Sequence, residues 1–146
     1  MQQALFALED SGCDAILLLC TGTFAGLACR RAWLVEPDHL IPGIVRGRVE
    51  RRQVGVIVPI AGQIDSEREK WRGLARPPLF AAASPYSDPP AALLAAGAGL
   101  KQQGAEAIVL DCIGFTERHR GALKPLGVPV ILSNAAVAGA LGELFA

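Results

Sequence analysis

Short apolar runs with no polar break recur along the chain at 16–20, 53–59, 78–83, 107–110 and 128–132. A strand that faces water on one side alternates apolar with polar residues. A continuously apolar strand must be covered on both faces, as in a parallel sheet. Segments with helical patterning fall between these runs: 1–10, 38–50, 65–74, 88–104, 116–127 and 135–146. Strand and helix therefore alternate, which predicts an α/β fold with a doubly wound parallel sheet. Trp33–Pro37 adds a short extended segment, and a short helical stretch is expected around Phe24–Ala28. Pro42 and Gly43 weaken the helix over 38–50. Ser66 with Glu69 fits a capping box, Asp88 ahead of Pro89 fits a helix cap, and Ser133-Asn134 fits the cap of the last helix.

Composition narrows the function. With 51% hydrophobic and 19% charged residues, the chain can bury a core. Fourteen basic side chains balance 14 acidic ones, so no net charge draws the chain to nucleic acid or to an anionic membrane, and neither is expected as a partner. The arginines at 46, 48, 51 and 52 read as a solvated helix end. No apolar run has the length of a membrane span, and the opening MQQALFALEDSG lacks a signal peptide's basic and apolar regions. A cytoplasmic location is the expectation.

The four cysteines, at 13, 20, 29 and 112, form no CxxC pair, and His39 and His119 lie far apart. No metal site and no cofactor are expected, and free thiols are favoured over disulfides. No GxGxxG or GxxxxGK[ST] follows a strand, which argues against dinucleotide and nucleoside triphosphate binding.

Cys20 and Cys112 share one setting. Each ends a strand, and each precedes a glycine-containing turn and an expected helix start. Open parallel sheets bind ligands beyond the carboxyl ends of their strands. Backbone N–H groups at a helix start attract anions and favour a thiolate. Arg118 and His119 would add positive charge beside Cys112. Two thiols facing one crevice suit a two-base reaction: one removes a proton beside a carboxylate, and the other returns one to the opposite face, with no metal or organic cofactor. Free cysteine is also a common core residue. Cys13 and Cys29 read that way, because they lack the strand-end setting. Asp111 could orient a ligand, but its simpler role is to accept backbone N–H bonds at the helix entry. His39 reads as a helix-start residue and His119 as a helix-surface one.

The segments QVGVIVPI (53–60), EKWRGLARPPLF (69–80), AEAIVLDCIGFTERHRGAL (105–123) and VPVILSNAAVA (128–138) resemble the AroM family. That family is in turn similar to the aspartate/glutamate/hydantoin racemase superfamily. The resemblance implies two α/β lobes with a site between them and one cysteine from each. It places Cys20-Thr21-Gly22-Thr23 where the racemases carry a Cys-Asn-Thr turn, and Cys112 at the second cysteine. Ile113-Gly114 stands where Thr-His or Thr-Glu is usual. It also puts Ser133 and Asn134 at the hinge before the final helix.

The expected organisation is a remnant of a first lobe over 1–50, a second lobe over 51–134, and a helix over 135–146 returning to the first. On this reading the front of the first lobe is lacking, and Met1 is either a late start or the beginning of a fragment. The unpaired edge of the Cys20 strand makes a homo-oligomer an expectation. Two functions follow. In one, Cys20 and Cys112 are the acid/base pair of a cofactor-independent racemase or isomerase of a small carboxylate or amino-acid-like ligand. Thr21, Gly22, Thr23, Gly114, Ser133 and Asn134 then bind the substrate. In the other, the protein binds a small molecule without turnover and serves a regulatory role linked to aromatic amino-acid metabolism.

Overall fold

The structure is a computed structural model, and it describes residues 1–145. The elements in chain order are α1 (Gln2–Asp10), β1 (Ala15–Leu17), β2 (Trp33–Val35), α2 (Pro37–Val49), β3 (Val54–Val58), α3 (Ile64–Lys70), β4 (Leu79–Ala82), α4 (Pro90–Gln102), β5 (Ala107–Leu110), α5 (Glu117–Ala122), β6 (Val130–Leu132) and α6 (Ser133–Leu144). Single 3-10 turns at Ala61–Gln63 and Lys124–Leu126 precede α3 and follow α5. The helix expected over 135–146 starts two residues earlier, and its last residue, Ala146, lies outside the described residues.

All strand pairs are parallel. β3 to β6 form one sheet in the order β4-β3-β5-β6, and β1 pairs with β2 in a second, two-stranded sheet. The continuous apolar runs sort by alternate residues onto two faces. Val54, Val56 and Val58 of β3, with Ala107 and Val109 of β5, meet Ile41, Val45 and Val49 of α2, Trp71 and Val137 of α6. Ile57, Ile108 and Leu110 meet Leu93 and Leu100 of α4, with Phe115, Leu123 and Leu126, on the other face. Helices thus cover both sides, as the apolar runs require. The four-stranded sheet is doubly wound, and its order reverses between β3 and β5.

Helix α2 runs through Pro42 and Gly43. Proline inside a helix costs about 3 kcal/mol. Ile41, Val45 and Val49, at helical spacing, are almost wholly buried. Each contributes roughly 1.5–3 kcal/mol, so packing outweighs the break. On the opposite face, Gly97 of α4 lets the helix approach closely: a Cβ there would fall 2.7 Å from Leu126 Cδ1 and 2.9 Å from Leu123 Cδ2.

The first sheet differs from expectation. The strand stops at Leu17 although the apolar run continues, and Leu19 is 74% exposed. No helix forms at Phe24–Ala28; the connection from 18 to 32 is irregular. It is held instead by Glu9 of α1. One carboxylate oxygen accepts the backbone N–H groups of Arg30 (2.8 Å), Arg31 (2.7 Å) and Ala32 (2.9 Å), and the other accepts Arg30 Nε (3.2 Å). The Ala32 and Arg31 amides, helped by Arg30 and opposed by burial, hold this carboxyl down at about 2. Leu5, Ile16 and Leu18 form a small core beneath, with Cys13 and Cys29 packed against it, as expected for structural thiols. Burial, then Glu9 and Glu36, pushes the Cys29 thiol up.

Three capping expectations are corrected. Ser66 lies inside α3 and donates to the Gln63 carbonyl (2.8 Å), so it caps nothing. Asp88 turns back to accept the Ser84 N–H (2.8 Å), and Pro89 takes the N-cap position of α4. Leu132 takes that position for α6, which makes Ser133 the first residue of the helix. The helix expected to run to Gly127 stops at Ala122, and a 3-10 turn follows.

Two stability outcomes follow. Gly97→Val overpacks the α4 contact and lowers stability by about 1–3 kcal/mol in urea unfolding; an unchanged midpoint would contradict the packing. A carboxyl depressed below its ordinary 4.5 contributes stability that is present above that pH and lost as pH falls towards about 2. The urea midpoint of the wild-type chain therefore drops across this window, and that of Glu9→Gln, already lower at neutral pH, drops less. Parallel curves would contradict the role of Glu9.

Candidate functional site

The reversal between β3 and β5 leaves a crevice beyond their carboxyl ends. A pocket of about 150 Å³ lies there, with Pro59 after β3, Asp111-Cys112-Ile113 after β5, and Leu19 to Gly22 after β1 along its walls. Gln63 and Glu67 come from the α3 side, and Tyr86 comes from the turn after β4. Cys20 and Cys112 both line it. Cys20 is exposed and Cys112 half-buried, and neither is in a disulfide.

The two thiols sit in matching turns. Gly22 N–H points at Cys20 Sγ (3.4 Å), and Gly114 N–H points at Cys112 Sγ (3.4 Å). A backbone donor at this position favours negative charge on sulfur. It comes from a Cys-X-Gly turn in both cases and not from a helix end. No helix follows Cys20, and the short α5 after Cys112 has its entry closed by its own residues. There, Thr116 and His119 cap each other, with Thr116 N–H donating to His119 Nδ1 (2.9 Å). The helix start expected after Cys20 is thus absent among the described residues, and the one expected after Cys112 forms at Thr116 with its first donors capped by its own side chains. Arg118 and His119 do not line the pocket.

Beneath the thiols lies a charged group the sequence reading did not find. Lys70, at the last turn of α3, is 2% exposed at its side chain. Its ammonium donates to the Thr21 carbonyl (2.8 Å) and to Asp111 Oδ2 (2.6 Å), and pairs with Glu67 Oε2 at 2.8 Å. The Asp111 carboxylate also accepts from Trp71 Nε1 (3.0 Å) and Ser133 Oγ (3.4 Å). Thr21 Oγ1 donates to the Asp111 carbonyl (3.3 Å). Asp111 therefore serves side chains, not the backbone N–H groups expected of it at a helix entry. Burial, offset by Lys70 and reinforced by Asp111, pushes the Glu67 carboxyl above its ordinary value.

The structure brings Cys20, Thr21, Gly22 and Cys112 to one pocket. Gly114 lies beside it, under Tyr86. It does not bring the other three. Thr23 faces a separate hollow with Asp38, His39 and Lys70. Ser133 is fully buried behind Asp111. Asn134 spends its amide on the carbonyls of Phe115 (2.6 Å) and Ile113 (3.3 Å), bracing the turn after Cys112. Two hydrogen-bonding residues at the last strand end therefore support the site from behind.

Two other features lie apart from this crevice. A groove of about 420 Å³ between β2 and α6 is larger, but its walls are mainly apolar, with Trp33, Leu141 and Leu144, and carry no thiol. Glu36, Asp38 and His39 bring one donor atom each within 4.8 Å of one another. They already pair loosely, His39 with Glu36 at 3.6 Å and with Asp38 at 3.7 Å, at a helix N-terminus whose dipole opposes a cation. Among the described residues, the cysteine crevice alone combines nucleophiles, a strand-order reversal and buried charge.

Removing the ammonium leaves Asp111 buried and unpaired. Lys70→Met is expected to cost about 3–5 kcal/mol in urea unfolding. Lys70→Met with Asp111→Asn should be destabilised by less than the sum of the two, by roughly 0.5–3 kcal/mol. Strict additivity would contradict the ion pair.

The fold is similar to that of allantoin racemase from Pseudomonas fluorescens (21% identity, 97% of this chain and 69% of that chain, TM-score 0.67). It is also similar to a glutamate racemase from Bacillus anthracis (17%, 98% and 63%, TM-score 0.69) and to Picrophilus torridus aspartate racemase (14%, 97% and 66%, TM-score 0.61). The chain thus spans roughly two thirds of the length of each, and at these identities the likeness is one of fold. No helix among the described residues is long and apolar enough to cross a membrane. No curated protein matches the chain in sequence. The family described as AroM protein matches residues 1–145. The chain, racemase-like in fold, belongs to the AroM protein family.

Proposed function

We propose that this chain acts on a small carboxylate or amino-acid-like molecule as a cofactor-independent racemase or isomerase, with Cys20 and Cys112 as its acid/base pair. One observation carries the reading: two free thiols, each with the N–H of a glycine two residues on, line one pocket at the reversal of strand order. One sulfur, as thiolate, takes the proton from the carbon beside the carboxylate. The C–H bond breaks, and its electron pair passes into the neighbouring carbonyl system. The other sulfur, as thiol, gives its proton to the opposite face of that carbon. The small volume holds a compact ligand. Thr21 and Gly22 contribute backbone contacts, and Gln63 offers a side-chain amide.

The racemase names of the fold neighbours favour this chemistry by analogy only. Organisation into lobes at 1–50, 51–134 and 135–146 belongs to the same proposal. α2, although it lies in the first of these segments, covers a face of the larger sheet together with α6.

A second reading is favoured by the setting of Cys20, which is exposed and has no helix start behind it. In it the crevice binds its ligand without turnover, in a regulatory role linked to aromatic amino-acid metabolism. Solvent deuterium exchange at Cα separates the two. Aspartate, glutamate and a 5-substituted hydantoin are incubated with the full chain in deuterated buffer. The proposal expects exchange into at least one, lost in Cys112→Ala. Thermal stabilisation by the same compounds with no exchange would establish the binding role, and exchange unchanged in Cys112→Ala would overturn the role of the thiol.

A further inference from the structure

Tyr86 is 77% exposed, yet its hydroxyl lies 3.9 Å from Cys112 Sγ. The turn that carries it is held by its own hydrogen bonds. Ser84 N–H donates to Asp88 Oδ2 (2.8 Å), and Ser84 Oγ accepts the N–H groups of Tyr86 (3.2 Å) and Ser87 (3.3 Å). An exposed aromatic side chain is thus carried by a braced turn with its polar end on a thiol. Position 114 has to be glycine for this. A Cβ there would fall 2.8 Å from Tyr86 Cε1 and nearer still to the hydroxyl end of the ring. The same glycine supplies the N–H to Cys112 Sγ, so one residue gives the sulfur a donor and gives the phenol its seat.

We propose that Tyr86 is a positioning residue for Cys112: seated on Gly114, its hydroxyl donates to the sulfur and holds it in the crevice. The phenol is the second donor on that sulfur, opposite in origin to the backbone one. Hydrogen bonding to Cys112, then the charge of Cys112, burial and the charge of Cys20, keep the phenol protonated above its ordinary range. These two thiols are the ionisable groups that act on it. The other carboxyls of the pocket, Glu67 and Asp111, are engaged with Lys70. A donor that stays protonated while its acceptor is charged can steady a thiolate without competing for its proton.

The chain has a single tyrosine, so the ultraviolet phenolate band reports on Tyr86 alone. The wild-type chain should ionise above the ordinary tyrosine range, read by rapid pH jump with circular dichroism confirming the fold. Cys112→Ala and Gly114→Ala should each move the midpoint down, and Cys13→Ala should leave it in place. A wild-type midpoint in the ordinary range, or one that neither substitution moves, overturns the proposal. Its kinetic consequence rests on the proposed racemase reading: Tyr86→Phe should lower kcat for Cα exchange about tenfold, the equivalent of one hydrogen bond, and leave KM unchanged. An unchanged kcat overturns the proposal. If the wild-type chain shows no exchange, the racemase reading fails and the phenolate titration alone decides the role of Tyr86.

Discussion

The Lys70 ammonium is the contact on which the site depends. Three oxygens surround it: the Thr21 carbonyl from the turn after β1, the Asp111 carboxylate from the end of β5, and Glu67 one turn back on its own helix. Each cysteine is a sequence neighbour of one of these partners. The ammonium therefore fixes the two cysteine turns relative to each other. Apolar packing at this place would fill the crevice it was meant to shape. A buried ion pair holds the walls without filling the space, at the cost of desolvating two charges. Trp71 Nε1 and Ser133 Oγ offset part of that cost by donating to the same carboxylate.

The larger sheet makes such a contact necessary. Its order places β3 and β5 side by side with their connections leaving in opposite directions, and their ends diverge into an open groove. The loop over this groove has only the small core of Leu5, Ile16 and Leu18 beneath it. The connection from 18 to 32 is accordingly pinned at two points by charged groups: by Glu9 at 30–32 and by Lys70 at Thr21. Cys20 lies near the second pin, on the exposed side, and Cys112 lies on the braced side, with Asn134 behind it and Tyr86 over it. The two thiols share a turn geometry but not a degree of support.

The sequence made the larger sheet legible because burial on two faces leaves a direct mark, and residues 54–58 and 107–110 are apolar at almost every position. The same rule misled at 16–20, where the ladder to β2 ends with the Leu18 N–H on the Val35 carbonyl (3.1 Å) although the apolar run goes on. Leu18 turns into the small core, and Leu19 turns out to the rim of the crevice. The cysteines were legible as lying near strand ends, although the strands stop short of them, at Leu17 and Leu110. Lys70 and Glu67 were not, because a lysine and a glutamate at i, i+3 on a charged helix read as solvent-facing. Tyr86 was hidden as well, since nothing local links a residue after β4 to a glycine 28 positions on. Ser133 and Asn134 were located at the right strand end, but their hydrogen bonds run inward.

The proposed racemase chemistry requires two thiols that address opposite faces of one carbon. The most direct test follows the two enantiomers of the compound that the wild-type chain exchanges, separately, in Cys20→Ala and in Cys112→Ala. Each variant should still exchange the Cα proton of one enantiomer, a different one for each variant, and neither should interconvert the two. Both variants exchanging both enantiomers, or interconversion surviving the loss of either sulfur, would contradict it.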